Sequence, residues 1–346
     1  MTWIALLLAD PSPCLRALIL RELMGRTDDD PELRELAQLR ASDPVVSDLL
    51  ALQAADGSWT KADSIGLGRS DRILATARAL LRLGYLGFGP GDEAVQRGAE
   101  WLFARQREDG AWPLPRSDDD GEAQEGYSII SLQTSLPLRG LAACGYATDP
   151  RAERGYEWLL AQRLPDGAWP TGIASGNYGY VAGYRRLAHS RWGCRSNTTG
   201  ALACLALHPA RRTSAEARRA LDLLLGRETR EAAVLGTEVA RIIGAEQARG
   251  FITTFARFDL MQLLDLCWRI GATAEDPRVA DVVAFVSELQ GPFGLWECAA
   301  RPQASRWVTF DLLRSLLRLK GGAPEEWISL EPRTPFQAYP RRAKRY

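Results

Sequence analysis

The stretch LFARQREDGAW, residues 102–112, returns as LLAQRLPDGAW at 159–169, as LALQAADGSW at 50–59 and, worn, as VSELQGPFGLW at 286–296. Each copy opens as a helix rich in Leu and Ala, often with a Gln in its last turn. Each then stops at Gly, which tolerates the left-handed backbone past a helix end, and closes on Trp as an aromatic plug. The first three copies recur about every 55 residues, and the interval from Trp169 to Trp296 is roughly twice that. One copy in that interval has lost its signature, near LDLLLGRETREAAVLG at 221–236.

A second phrase alternates with the first: TARALLRLG from Thr76, TSLPLRGLAACG from Thr134, TTGALACLAL from Thr198 and TFDLLRSLLRL from Thr309. In each, the Thr is followed by Leu four and seven residues later, one stripe of a helix. FDLMQLLDLCWRIG, from Phe258, obeys the same rule with Leu263 and Leu266, but its register position holds Asp259 instead of Thr. With the N-terminal segments 11–25 and 31–53, about six helical hairpins are predicted. None buries its apolar face alone, so neighbours must stack, and six can close into a ring of inner and outer helices. Strand signals are almost absent.

Lys plus Arg and Asp plus Glu both number 43 in 346 residues, so no global field recruits nucleic acid or an anionic membrane. Six cysteines without a CxxC or regular spacing read as reduced thiols of a cytoplasmic protein. The opening MTWIALLLADPSP lacks the basic start of a signal peptide, and no run approaches the length of a transmembrane helix. One domain over 1–330 is expected, followed by a Pro-rich basic extension over 331–346. Nothing indicates an oligomeric state.

The alternating hairpins with Q-x-x-D-G-x-W resemble the prenyltransferase and squalene-oxidocyclase repeat superfamily. WIALLLADPSPCLRALILRELMG, FDLMQLLDLCWRIGATAEDPRV and SRWVTFDLLRSLLRL look like a squalene-cyclase-like group of single-domain bacterial proteins. The resemblance implies an all-α fold, an (α/α)6 toroid of six helical hairpins, and a small apolar substrate. It also implies a terpene-cyclase-like enzyme, in which an acid starts cyclisation or isomerisation of an isoprenoid or other polyene in the central cavity. The D-x-D-D acid motif of class II cyclases is absent: TDDDPE at 27–32 and SDDDGE at 117–122 lack the leading acid.

Asp259 is the candidate acid, its carboxyl raised by apolar neighbours; the alternative is a helix cap or a partner of an Arg such as Arg257. The segment 171–200 inserts a Gly- and aromatic-rich loop whose Tyr178, Tyr180, Tyr184 and Trp192 suit a lid or a cation-stabilising wall. Tyr127, behind the acidic run 118–125, and Trp307 are further candidates to shape the pocket. Arg306 is a candidate to bind an anionic group or to pair with Asp259. No resident cofactor is expected. The alternative is Zn held by Asp259, Cys194 and His189 in a transferase or lyase, with Mg possible at the acidic run if the substrate carries a diphosphate. The remaining alternative is a non-catalytic ring that binds a lipid or peptide.

Overall fold

The computed structural model describes residues 2–60, 72–112, 130–172, 181, 185–226, 233–246, 255, 257–299 and 301–320. Among them the chain is helical apart from β1 (Ala233–Val234) and β2 (Phe258–Asp259), which pair in parallel over two residues. The helices are α1 (Thr2–Leu8), α2 (Pro13–Glu22), α3 (Pro31–Leu39), α4 (Pro44–Ala51), α5 (Arg72–Tyr85), α6 (Glu93–Phe103) and α7 (Ser131–Ala143). There follow α8 (Pro150–Ala161), α9 (Arg195–Leu205), α10 (Ala215–Leu225), α11 (Thr237–Ile242), α12 (Leu260–Ile270), α13 (Pro277–Glu288) and α14 (Ser305–Leu319).

The architecture is an all-α toroid of helical hairpins; among the described residues α5 packs on α6, α7 on α8, α9 on α10 and α12 on α13. Outer helices α4, α8 and α13 start at Asp-Pro: the Asp side chain accepts a backbone N–H of the first turn, and Pro takes a position where no donor is needed. The inner helices α5, α7 and α9 pack in sequence. Close approach depends on glycine, since a Cβ at Gly140 would lie 2.4 Å from the Ala77 carbonyl oxygen. On the far side α12 packs on α14, and α2 packs on α14 with the ion pair Arg318–Glu22, while Arg306 of α14 pairs at 3.1 Å with Asp10 in the turn before α2.

The repeated phrase is a joint among three helices. Trp59, Trp112, Trp169 and Trp296 each follow an outer helix and are buried. Their Nε1 atoms donate to the carbonyls of Leu49, Leu102, Leu159 and Val286 at 2.7–2.9 Å, back on that outer helix. Their backbone N–H groups donate to Thr76, Thr134, Thr198 and Thr309 at 2.9–3.2 Å, on the next inner helix. Gln53 and Gln106 tie the loop to the following outer helix, donating to Ala94 O and Arg151 O. At Gly110 the backbone is left-handed, φ 95°, and a Cβ would sit 2.4 Å from Arg154 O, so the motif requires glycine twice over. The spacing of the motif is the geometry of this joint.

Candidate functional site

Asp259 N-caps α12, where its side chain accepts from Met261 N. It accepts equally from Gly236 N at 3.1 Å and Glu238 N at 2.7 Å. These are the residues that follow α10, so Asp259 performs for the Trp-less fourth copy what Thr performs in the other four. A carboxylate brings two oxygens, and here they satisfy three donors. Burial nevertheless raises its pKa to about 6; the backbone hydrogen bonds pull it down and the neighbouring Glu238 pushes it further up.

The fourth copy differs because α11, which lies between α10 and α12 in the chain, packs inward. α11 packs against both α5 and α14. Its buried Glu238 pairs with Arg139 of α7, and Arg82 of α5 donates to Ile242 O at 2.7 Å. Phe255 joins Leu74, Ile130, Leu132 and Leu136 in one apolar cluster. The lost signature near 221–236 is thus an outer helix, α10, followed by an insertion that packs among the inner helices.

The Thr register also identifies the inward faces. With about 100° per residue, a position two residues on lies roughly opposite the Thr, facing away from the outer layer. In α14 that position is Asp311, which is 5% exposed. Burial raises its carboxyl to about 6, while Arg314 draws it down. The Arg314 Nη2 atom lies 2.6 Å from Asp311 Oδ1 without the alignment of a hydrogen bond, and Oδ1 accepts none among the described residues. Arg314 is shared with Asp265 of α12 at 3.3 Å. Asp265 is held below its ordinary value because Arg269 and Arg314 outweigh the effect of burial. Tyr85, at the end of α5, faces the same group: burial and then Asp311 raise its phenol. Its ring lies 5.9 Å from that of Trp307. The cluster Tyr85, Trp307, Asp311 and Arg314 therefore combines a carboxyl of raised pKa with two aromatic walls.

Of the residues singled out in the sequence, Trp307 belongs to this cluster. Arg306 pairs with Asp10 rather than with Asp259. Cys194 is buried at the start of α9, its backbone N–H donating to Trp169 O at 2.8 Å. His189 and Trp192 are exposed on the loop before α9. Tyr127, Tyr178, Tyr180 and Tyr184 lie outside the described residues, as do the acidic run 118–125 and the extension 331–346. Among the described residues no three His, Cys, Asp or Glu side chains come together to hold a metal ion. No helix among them is long and apolar enough to cross a membrane. Asp311 was visible in the sequence only as the polar position opposite Thr309 in TFDLL.

Residues 22–189 match the family described as the squalene-hopene cyclase C-terminal domain. Over that span, just under half of the chain, the sequence is similar to squalene-cyclase-like proteins. It is 29% identical over 147 residues to the squalene–hopene cyclase of Zymomonas mobilis, covering 42% of this chain and 21% of that protein. With human lanosterol synthase the identity is 28% over 123 residues, covering 34% of this chain and 16% of that one. The chain spans about a fifth of the length of the curated relatives it matches. Among solved structures, the type II terpene cyclase MstE from Scytonema aligns at 15% identity and a TM-score of 0.34, covering 79% of this chain and 95% of that one.

Proposed function

We propose that this protein is an enzyme that acts on an isoprenoid or other apolar polyene by acid-initiated cyclisation or isomerisation, with Asp311 as the acid. The supporting observation is the Asp311 cluster: a buried carboxyl with a pKa near 6, facing inward beside Tyr85 and Trp307. A desolvated acid of this kind keeps its proton up to about pH 6, well above an ordinary carboxyl. In the proposed step the carboxyl O–H bond breaks and the alkene π pair forms a new C–H bond, leaving a cation on the neighbouring carbon. The π faces of Tyr85 and Trp307 are placed to stabilise positive charge. Loss of a proton from an adjacent carbon ends the sequence and restores the acid. Asp259 suits this role less, because both its oxygens are committed to backbone N–H groups.

The test is incubation of the purified protein with squalene, an oxidosqualene and linear isoprenoid alcohols, followed by gas chromatography and mass spectrometry. A new cyclic or isomerised product that disappears in Asp311→Asn is expected. A product formed equally by the variant removes Asp311 from the chemistry.

A second reading, a non-catalytic toroid that binds a lipid or peptide, is favoured by one observation. α11 and the Arg139–Glu238 pair pack among the inner helices, where charged groups are unfavourable company for a hydrocarbon chain. Native mass spectrometry separates the two readings. A tightly held apolar ligand that co-purifies and emerges chemically unchanged supports binding without turnover.

A further inference from the structure

Two carboxyls face one buried guanidinium between α12 and α14. Asp311 and Arg314 stand three residues apart on α14, and Asp265 and Arg269 four apart on α12, so each pair shares a face where these helices pack. Arg314 Nη2 lies nearer to Asp311, 2.6 Å from Oδ1, than to Asp265, 3.3 Å from Oδ1. Its hydrogen bond nevertheless goes to Asp265. Arg269 Nε donates to the other oxygen of Asp265 at 2.8 Å. Both oxygens of Asp265 thus accept from guanidiniums, whereas Asp311 Oδ1 accepts from none among the described residues.

The surroundings hold this arrangement. The centre of the Trp268 ring lies 4.3 Å from the guanidinium carbon of Arg269, 5.9 Å from that of Arg314 and 4.7 Å from that of Arg318, whose charge is met by Glu22 of α2. Tyr85 of α5 faces Asp311, and Arg139 of α7 acts on Asp265. On α11, Glu238 pairs with Arg139 and lies 3.9 Å from Arg241. An arginine keeps its charge, so a buried one requires a counter-ion, but one carboxylate suffices. Asp265, hydrogen-bonded by two guanidiniums, is the one stabilised as an anion, and its carboxyl is held below its ordinary value. Its negative charge in turn disfavours a second anion at Asp311, adding to the effect of burial. Neighbouring carboxyls driven to opposite protonation states are a means of keeping one of them an acid.

We propose that Asp265 is a positioning residue for the acid: by engaging Arg314 it keeps that guanidinium from closing on Asp311, which so retains the proton it donates. Asp265 takes no part in the transfer and acts through Arg314. The inference rests on the reading of Asp311 as the acid, but its measurement needs no substrate.

The test is an infrared pH titration of the protonated-carboxyl band of the full chain, the Asp311 contribution being the part lost in Asp311→Asn. In Asp265→Asn, Arg314 loses its anionic partner and turns to Asp311, so the Asp311 midpoint should fall by about 1–3 pH units, the usual effect of an adjacent arginine on a carboxyl. Asp265→Glu keeps the negative charge and should restore much of the wild-type midpoint. Arg269→Gln leaves Asp265 to Arg314 alone and should raise the midpoint. Arg269 is half-buried, so this last variant decides the matter if Asp265→Asn does not fold. A purely structural role for Asp265 would lower stability without these opposite shifts. The proposal is overturned if the Asp311 midpoint stays in place in either Asp265→Asn or Arg269→Gln while the protein is folded. An ordinary midpoint in wild type would overturn it together with the reading of Asp311 as the acid, whereas a raised midpoint that ignores Asp265 would overturn it alone.

Discussion

Asp259 holds the backbone N–H of Glu238 at 2.7 Å, the duty that Thr198 performs for Trp169 at 3.0 Å. The substitution of acid for alcohol follows from the insertion of α11. Where Trp is absent and α11 packs inward, the loop presents Gly236 and Glu238 N–H groups as well as the cap donor of Met261, and a single hydroxyl cannot meet all three.

Replacing this carboxylate by its amide is therefore expected to destabilise the fold. In Asp259→Asn one acceptor oxygen becomes an NH2 group facing a backbone N–H. The loss should be about 1–3 kcal/mol, the usual cost of an unsatisfied buried donor. Equilibrium urea unfolding reads it as a lowered midpoint. A midpoint unchanged from wild type would mean that the three hydrogen bonds contribute nothing to the joint.

The Trp joint gives a second expectation. Trp169→Phe keeps most of the buried ring but removes the Nε1 donor to Leu159 O, bonded at 2.7 Å. The orphaned carbonyl and the smaller ring together should cost about 2–4 kcal/mol. The same exchange at exposed Trp192 should leave the melting temperature within a degree or two of wild type, because no core contact is lost. Parallel thermal melts compare the two.

The repeat was legible because the joint imposes residue types at fixed offsets. Gly110 needs a left-handed φ, Trp112 must reach back ten residues to Leu102, and Thr134 must receive its N–H. Any chain built this way spells the motif. Asp259 stood out by the same logic, yet its role was ambiguous, because a cap and an acid are written with the same letter in the same place. Asp311 was harder to see. Its neighbours Phe310 and Leu312 are apolar, and a lone Asp on a helix ordinarily faces solvent. Only the outward direction fixed by the Thr309–Trp296 bond reveals that Asp311 faces the other way. α11 carries no repeat, since its partners Arg139, Arg82 and Val308 are scattered along the chain.

The pair Arg139–Glu238 ties α7 to α11 while both side chains are buried. Arg139→Met should leave Glu238 with only Arg241, 3.9 Å away, and destabilise by about 3–5 kcal/mol, as when one partner of a buried ion pair is removed. The double variant Arg139→Met, Glu238→Leu should recover much of that loss, because it leaves no unpaired buried charge. Denaturant midpoints of the two single variants and the double complete the cycle. An additive double variant would show that the pair is not coupled.

The Asp311 carboxyl, ordinarily near 3.8, is raised to about 6 chiefly by burial, so the folded protein holds this proton more tightly than the unfolded chain. The stability that this contributes is fully present below about pH 4, declines as pH rises, and is lost once pH passes about 6. Asp259 behaves in the same sense, its carboxyl also being raised to about 6. Wild type should therefore lose stability between pH 4 and 7 more steeply than Asp311→Asn, which keeps the side chain neutral throughout. The difference between the two curves isolates Asp311, since Asp259 and the acids with lowered values are common to both proteins. If Asp311 also donates the proton, turnover should follow the same titration, high where the carboxyl is protonated and falling as pH rises through about 6. Stability and turnover measured across this range thus read one group in two ways. Parallel pH curves for wild type and Asp311→Asn would mean that the carboxyl titrates at its ordinary value, and would remove both the buried acid and the mechanism built on it.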